Sequence, residues 1–144
     1  MGKIGHKLID LNFITMTVKK VTEGIKISVK TEYEPSLSKP LQNVHIFSYT
    51  VRIENHSDFT VKLLRRKWII KDSNASPRIV EGDGVVGLQP TIAPLEMFEY
   101  QSHCNLNGEI GKMSGHYEME RSLDKSSFVV EIPEFNLTTN YMLN

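Results

Sequence analysis

The sequence is short of most features that would announce a chemistry. It has a single cysteine, Cys104, so no internal disulfide can form. Neither a disulfide scaffold nor an oxidising compartment is therefore indicated. It also lacks net charge, because 17 basic side chains balance 17 acidic ones. A nucleic-acid binder usually carries a clear basic excess, and that class is set aside. The apolar runs are only a few residues long, too short for a membrane span. No H-x-x-x-H, H-E-x-x-H or C-x-x-C spacing occurs, so no strong zinc or transition-metal signal is present and no cofactor is expected. No segment of ten or more residues carries a 3.6-residue apolar stripe, which argues against helical architecture.

What is present fits a soluble globular protein: 144 residues, 40% hydrophobic and 24% charged. That length suits one domain with a sizeable core. Residues 1–20 read as an N-terminal extension and residues 21–144 as the domain. The apolar stretch Leu8–Met16 is broken by Asp10 and Asn12, and no small-residue cleavage site follows it. His6 stands where a myristoylation pattern needs Ser or Thr. A cytoplasmic protein is expected.

From Ile25 onward the period is two, the mark of half-buried strands. Ile25, Ile27 and Val29 alternate with Lys26, Ser28 and Lys30. A second run places His45, Phe47, Tyr49, Val51 and Ile53 on one side. In the third, Thr60–Lys71, Val61 and Leu63 have one parity but Trp68 and Ile70 the other. The phase change near Leu64–Arg66 predicts a β-bulge. Pro77–Glu81 reads as an edge strand. Phe98–Ser102, Met113–Met119 and Phe128–Ile132 supply the remaining three, the last ended by Pro133. Seven short one-sided strands predict an antiparallel β-sandwich, with a barrel as the alternative.

The sharpest motif is G-x-G-x-x-G at Gly82, Gly84 and Gly87. In a dinucleotide-binding domain it joins a strand to a helix. Here Pro90 and Pro94 follow and no helix begins, so a Rossmann site is excluded. Two readings stay open. Successive backbone N–H groups can cradle phosphate, pyrophosphate or a nucleotide. Alternatively, the glycines build a tight connection, and Asp83 within the loop would repel an anion.

Taken together, Leu63–Ile70, Val80–Pro90 and Gly111–Tyr117 resemble the ApaG domain, supported by Phe98–Ser102 and Phe128–Phe135. The resemblance covers about Val21 to Leu137. It implies a fibronectin type III/immunoglobulin-like sandwich. It also implies a family whose bacterial members are linked to cobalt tolerance and magnesium efflux, and whose domains in larger eukaryotic proteins serve protein–protein binding. Members usually carry Pro-Gly-Glu where this chain has Pro94-Leu95-Glu96, so a different turn geometry is expected there.

For catalysis, His103 and Cys104 are adjacent on a strand and therefore point to opposite faces. An inert, buried Cys104 is expected. His103 and His116 could meet across strands and, with nearby carboxylates, hold a divalent cation. Arg65, Arg66 and Lys67 form the densest basic cluster, expected to be neutralised by Glu118 and Glu120 on the paired sixth strand. Residues 1–78 carry 14 basic side chains against 7 acidic, and residues 79–144 carry 3 against 10. A sandwich that interleaves early and late strands would turn this split into internal complementarity. The expected function is a non-enzymatic binding module for a protein partner, with homodimer formation also compatible. Its surface combines Arg65, Arg66, Gly82, Asp83, Gly84, Gly87 and Gln89.

Overall fold

The computed structural model describes residues 17–139. Nine strands follow one another: β1 (Val18–Thr22), β2 (Ile25–Tyr33), β3 (His45–Asn55), β4 (Val61–Asp72), β5 (Ala75–Asp83), β6 (Thr91–Ile92), β7 (Met97–Leu106), β8 (Ile110–Arg121) and β9 (Ser127–Thr138). They form two sheets. One has the order β1-β2-β3-β7; the other has β5-β4-β8-β9, with β6 paired to β4. All the pairings are antiparallel. The sandwich expected from period two is thus present, with nine strands rather than seven.

The core follows from the alternation. Ile25, Ile27 and Val29 of β2 and Val130 and Ile132 of β9 are all buried, and the two strands meet across the sandwich. Trp68 fills the gap between the sheets. Its ring packs edge-on against Tyr49 at 5.4 Å, Phe135 at 5.8 Å and Tyr117 at 6.5 Å between centroids. Such edge-to-face contacts add about 0.5–1.5 kcal/mol each beyond burial. The register of β4 against β8 shifts between Leu63 and Arg65, where the phase change predicts it. That single slip lets Val61 and Leu63, and then Trp68 and Ile70, all reach the core.

Pro133 does not end the last strand, as its sequence position suggests. A second register shift, between Met113 and Gly115 of β8, leaves Pro133 and Glu134 of β9 without a counterpart. β9 is an edge strand, where a missing N–H is tolerated. The strand therefore continues to Thr138. β1 takes in Val18–Lys20, which the sequence places in the extension, while residues 1–16 lie outside the described residues.

One side of the sandwich is closed by side chains. Lys20 Nζ pairs with Glu131 at 2.7 Å, and the Glu131 N–H donates to Thr22 Oγ1 at 3.2 Å. On the other side, Arg78 of edge strand β5 donates to the Asn105 carbonyl of β7 at 2.5 Å. Asp72 ties the turn after β4 to the turn after β7. Its carboxylate accepts from the N–H groups of Asn74 (3.0 Å), Asn107 (2.7 Å) and Gly108 (2.9 Å). Burial works against that charge. The three N–H donors prevail and hold the carboxyl below the ordinary aspartate range.

The charge split resolves differently in the two sheets. Basic β4 does lie beside acidic β8, with Lys62 opposite Glu120 and Arg65 opposite Glu118. In the other sheet β1, β2 and β3 stay together, and only β7 comes from the acidic half. Interleaving therefore does not neutralise the first sheet.

Candidate functional site

All seven residues of the expected surface lie together, on one stretch of β4 and on β5 with the loop that follows it. Arg65 pairs with Asp83, and Arg66 with Gly82, across the β4–β5 ladder. The Arg65 guanidinium reaches the Asp83 carboxylate at 2.5 Å, both largely exposed. Arg66 lies over Gly82, where a Cβ would press on the guanidinium at 2.9 Å. From there its Nη1 donates to the carbonyls of Asp83 (3.1 Å) and Gly84 (3.0 Å). Gln89 Nε2 donates to the Leu64 carbonyl at 2.9 Å, the same carbonyl that takes the Gly84 N–H at 2.8 Å. The β4 slip at Leu63–Arg65 presents that Leu64 carbonyl to the loop.

The loop itself closes on Val85 and Leu88, whose N–H and C=O groups bond reciprocally at 2.8 Å. Its central residues Val86 and Gly87 both have positive φ, +41° and +80°, as in a type I′ turn. Gly84 is also left-handed, at +62°, and has no room for a Cβ because the Leu88 carbonyl occupies that space. Val85 is fully buried, whereas Val86 and Leu88 are 52% and 53% exposed. The N–H groups of Gly84, Val85 and Leu88 are thus used within the fold, and two loop carbonyls point at Arg66. Of the two readings of the glycine motif, this geometry fits the tight connection. The exposed pair Val86 and Leu88 did not stand out in the sequence. The type I′ turn that displays them is the signal that could have marked them.

The other candidates disperse. His103 and His116 do not meet. His103 is on β7, opposite Ser48 of β3, and His116 is on β8, between Lys67 of β4 and Glu131 of β9. Each projects outward from a different sheet, because period two fixes the face of a side chain but not the sheet. Among the described residues, no three His, Cys, Asp or Glu side chains gather to hold a metal ion. Cys104 is 6% exposed, and burial pushes its thiol up to about 11, far from a nucleophile's range. Tyr100 and Tyr117 share a buried hydroxyl–hydroxyl hydrogen bond of 2.5 Å between the sheets, and burial raises both phenols.

The Pro94-Leu95-Glu96 turn has a left-handed central residue. Leu95 has φ +69° and is 87% exposed, in a turn closed by the Glu96 N–H on the Ala93 carbonyl at 3.0 Å. Leucine here occupies a backbone position that suits glycine.

The sequence profile of the ApaG domain matches residues 35–121, which takes in β3 to β8 and the whole glycine loop. The chain belongs to the ApaG domain family. Protein ApaG of Anaeromyxobacter dehalogenans (strain 2CP-1 / ATCC BAA-258) is 43% identical over 124 residues, spanning 86% of this chain and 97% of that protein. Protein ApaG of Vibrio vulnificus (strain YJ016) is 42% identical over 120 residues, or 83% and 94%. The fold of this ApaG domain also matches the crystal structure of the putative ApaA protein from Bordetella pertussis. That match has a TM-score of 0.77 at 40% identity and covers 81% of this chain and 94% of that one. No helix among the described residues is long and apolar enough to cross a membrane.

Proposed function

We propose that the chain is a non-enzymatic binding module whose ligand is another protein, contacted through the Val85–Leu88 turn and its flanks. The observation that carries this reading is the display of Val86 and Leu88, each about half exposed, on a turn closed by the reciprocal Val85–Leu88 backbone pair. A rigid apolar tip loses little entropy on binding, which is the property of an efficient anchor. Around it stand the charged pair Arg65–Asp83 and Gln89, a polar rim of the usual kind. Arg66, Gly82, Gly84 and Gly87 shape this surface rather than touch the partner.

The link to cobalt tolerance and magnesium efflux that comes with the ApaG resemblance is then indirect, exerted through the partner in the cytoplasm. A second copy of the chain is one partner this surface could take. Binding of phosphate or a nucleotide by the glycine loop is the weaker reading. Three of the loop N–H groups, those of Gly84, Val85 and Leu88, are spent on Leu64, Leu88 and Val85, and Asp83 adds a negative charge.

The test is affinity capture from the native host with the Val86→Asp/Leu88→Asp pair. Recovery of the partner should fall to background while the melting temperature stays within about 2 °C, as for ordinary surface changes. Undiminished recovery refutes the surface. Arg66→Ala and Gly84→Ala are poor probes, because both residues hold the loop together.

A further inference from the structure

The strands that bound the two sheets are β1 and β7 in one and β5 and β9 in the other. An unpaired edge presents a row of N–H and C=O groups that another strand can complete. β1 and β9 lie against each other along the seam, where Lys20 and Glu131 pair. β7 exposes the polar side chains Glu99, Gln101 and His103. β5 differs from all three. Every residue of it is at least partly exposed, and two consecutive apolar ones, Ile79 and Val80, hold its middle at 58% and 37% exposure.

The register shows which backbone groups of β5 are unpaired. The Gly84 N–H donates to the Leu64 carbonyl, and hydrogen-bonded pairs then alternate along the ladder at Arg66–Gly82, Trp68–Val80 and Ile70–Arg78. The N–H and C=O groups of Ile79, Glu81 and Asp83 therefore point away from β4. Among the described residues, no strand pairs with that side of β5. Beyond Arg78 the ladder slips. Ser76 and Pro77 fall together against Lys71, and this bulge ends the usable edge.

We propose that β5 pairs antiparallel with β5 of a second copy of this chain, about a twofold axis at Val80, so that the two sheets become one. Side chains select the register. An axis at Ile79 sets Glu81 against Pro77, which has no N–H and lies in the bulge. An axis at Glu81 sets two like carboxylates directly opposite each other, which is destabilising. With the axis at Val80, Ile79 and Glu81 exchange both backbone bonds with Glu81 and Ile79 of the second copy. The two Val80 side chains then meet on the face they share with Trp68. The charged side chains of the edge are engaged within each copy and do not oppose this. Glu81 stands opposite Lys67, Asp83 pairs with Arg65, Arg78 donates to the Asn105 carbonyl, and Arg66 donates to the loop carbonyls. The contact is isologous, the usual form of a homodimer. One strand pair is small beside the roughly 1,200–2,000 Å² of a stable interface, so a weak dimer is expected, with Kd on the order of 0.1 mM. Val86 and Leu88 lie outside the paired strand, so this self-pairing does not depend on the protein-binding reading.

Sedimentation equilibrium on the full chain, from about 10 μM to about 1 mM, tests it, and dimer is expected toward the upper end. Ile79→Glu opposes carboxylates across the axis and should abolish association. Ile79→Lys opposes Glu81 of the second copy and should strengthen it severalfold. Val80→Cys should cross-link into a disulfide dimer in air, because directly opposed Cα atoms of a non-hydrogen-bonded pair are about 4.5 Å apart. Asp83→Cys, far from its counterpart in this register, should not. Cys104 is buried and does not compete. The Val86→Asp/Leu88→Asp pair should leave association unchanged. A chain that stays monomeric at about 1 mM overturns the inference. Equal loss in both Ile79 variants, or equal cross-linking at positions 80 and 83, overturns it too. A monomeric chain that loses capture of a different protein in Ile79→Glu overturns it in favour of a foreign strand on β5.

Discussion

The three glycines of the G-x-G-x-x-G motif should respond to alanine in three different ways, because each is glycine for a different reason. Gly87 has φ +80° and open space where a Cβ would go. Its alanine variant meets only the left-handed backbone penalty of about 1–2 kcal/mol. The lower entropy of the unfolded alanine chain offsets about 0.4–1 kcal/mol of that. A net loss of about 1 kcal/mol is expected. Gly84 carries the same backbone term at φ +62°, but its Cβ would run into the Leu88 carbonyl. Moving that carbonyl breaks its bond from the Val85 N–H and leaves a donor unpaired beside a fully buried side chain. An unpaired buried group costs about 1–3 kcal/mol, so Gly84→Ala should lose about 3 kcal/mol in all. Gly82 lies in the strand, and its Cβ would meet only the movable end of Arg66. Its loss should stay under about 1 kcal/mol, the scale of an ordinary hydrogen bond. Urea denaturation with a common m-value measures all three. Equal losses at Gly84 and Gly87 would refute the argument, because only the carbonyl contact separates them. A phosphate cradle would instead show up as ligand-dependent stability lost in all three variants.

Two further perturbations follow from the same reasoning. Leu95→Gly should raise stability by about 0.5–1 kcal/mol, the left-handed penalty less the entropy of the added glycine, read as a higher urea midpoint. An unchanged or lowered midpoint would mean that the exposed leucine is held by contacts. Asp72→Ala should cost about 1–2 kcal/mol at pH 7, near the lower end because its carboxylate is partly solvated. The Asp72 carboxyl is depressed in the folded state, so its contribution is full above the unfolded value of about 3.9 and disappears as pH falls through the folded value. The gap between wild type and variant should therefore close in acid, and a gap independent of pH would contradict the assignment.

How much could be read in advance depended on what each pattern encodes. The parity change between Leu63 and Trp68 revealed the β4 slip, because a buried tryptophan permits only one face. β1 was hidden because it is exposed at its three central positions, so no alternation marks it. β6 is only two residues long. Pro133 misled because a proline stops a central strand but not a slipped edge. The pairing of His103 with His116 failed since faces alternate identically in both sheets. The glycine loop was legible as a turn but not as a display for Val86 and Leu88.

The seam between β1 and β9 has a consequence for biosynthesis. Lys20 and Glu131 are separated by 111 positions in the chain, yet they sit side by side. The strand that bounds the first sheet is among the earliest parts of the domain to leave the ribosome, and its partner across the seam is among the last. Until β9 emerges, the buried side chains of β2, Ile25, Ile27 and Val29, lack the strand that meets β2 across the sandwich. Contacts of such long range are slow to form. The nascent domain must therefore remain unclosed, with the buried face of β2 uncovered, until β9 has emerged. Aggregation during translation, more than instability of the finished sandwich, is the hazard this topology imposes.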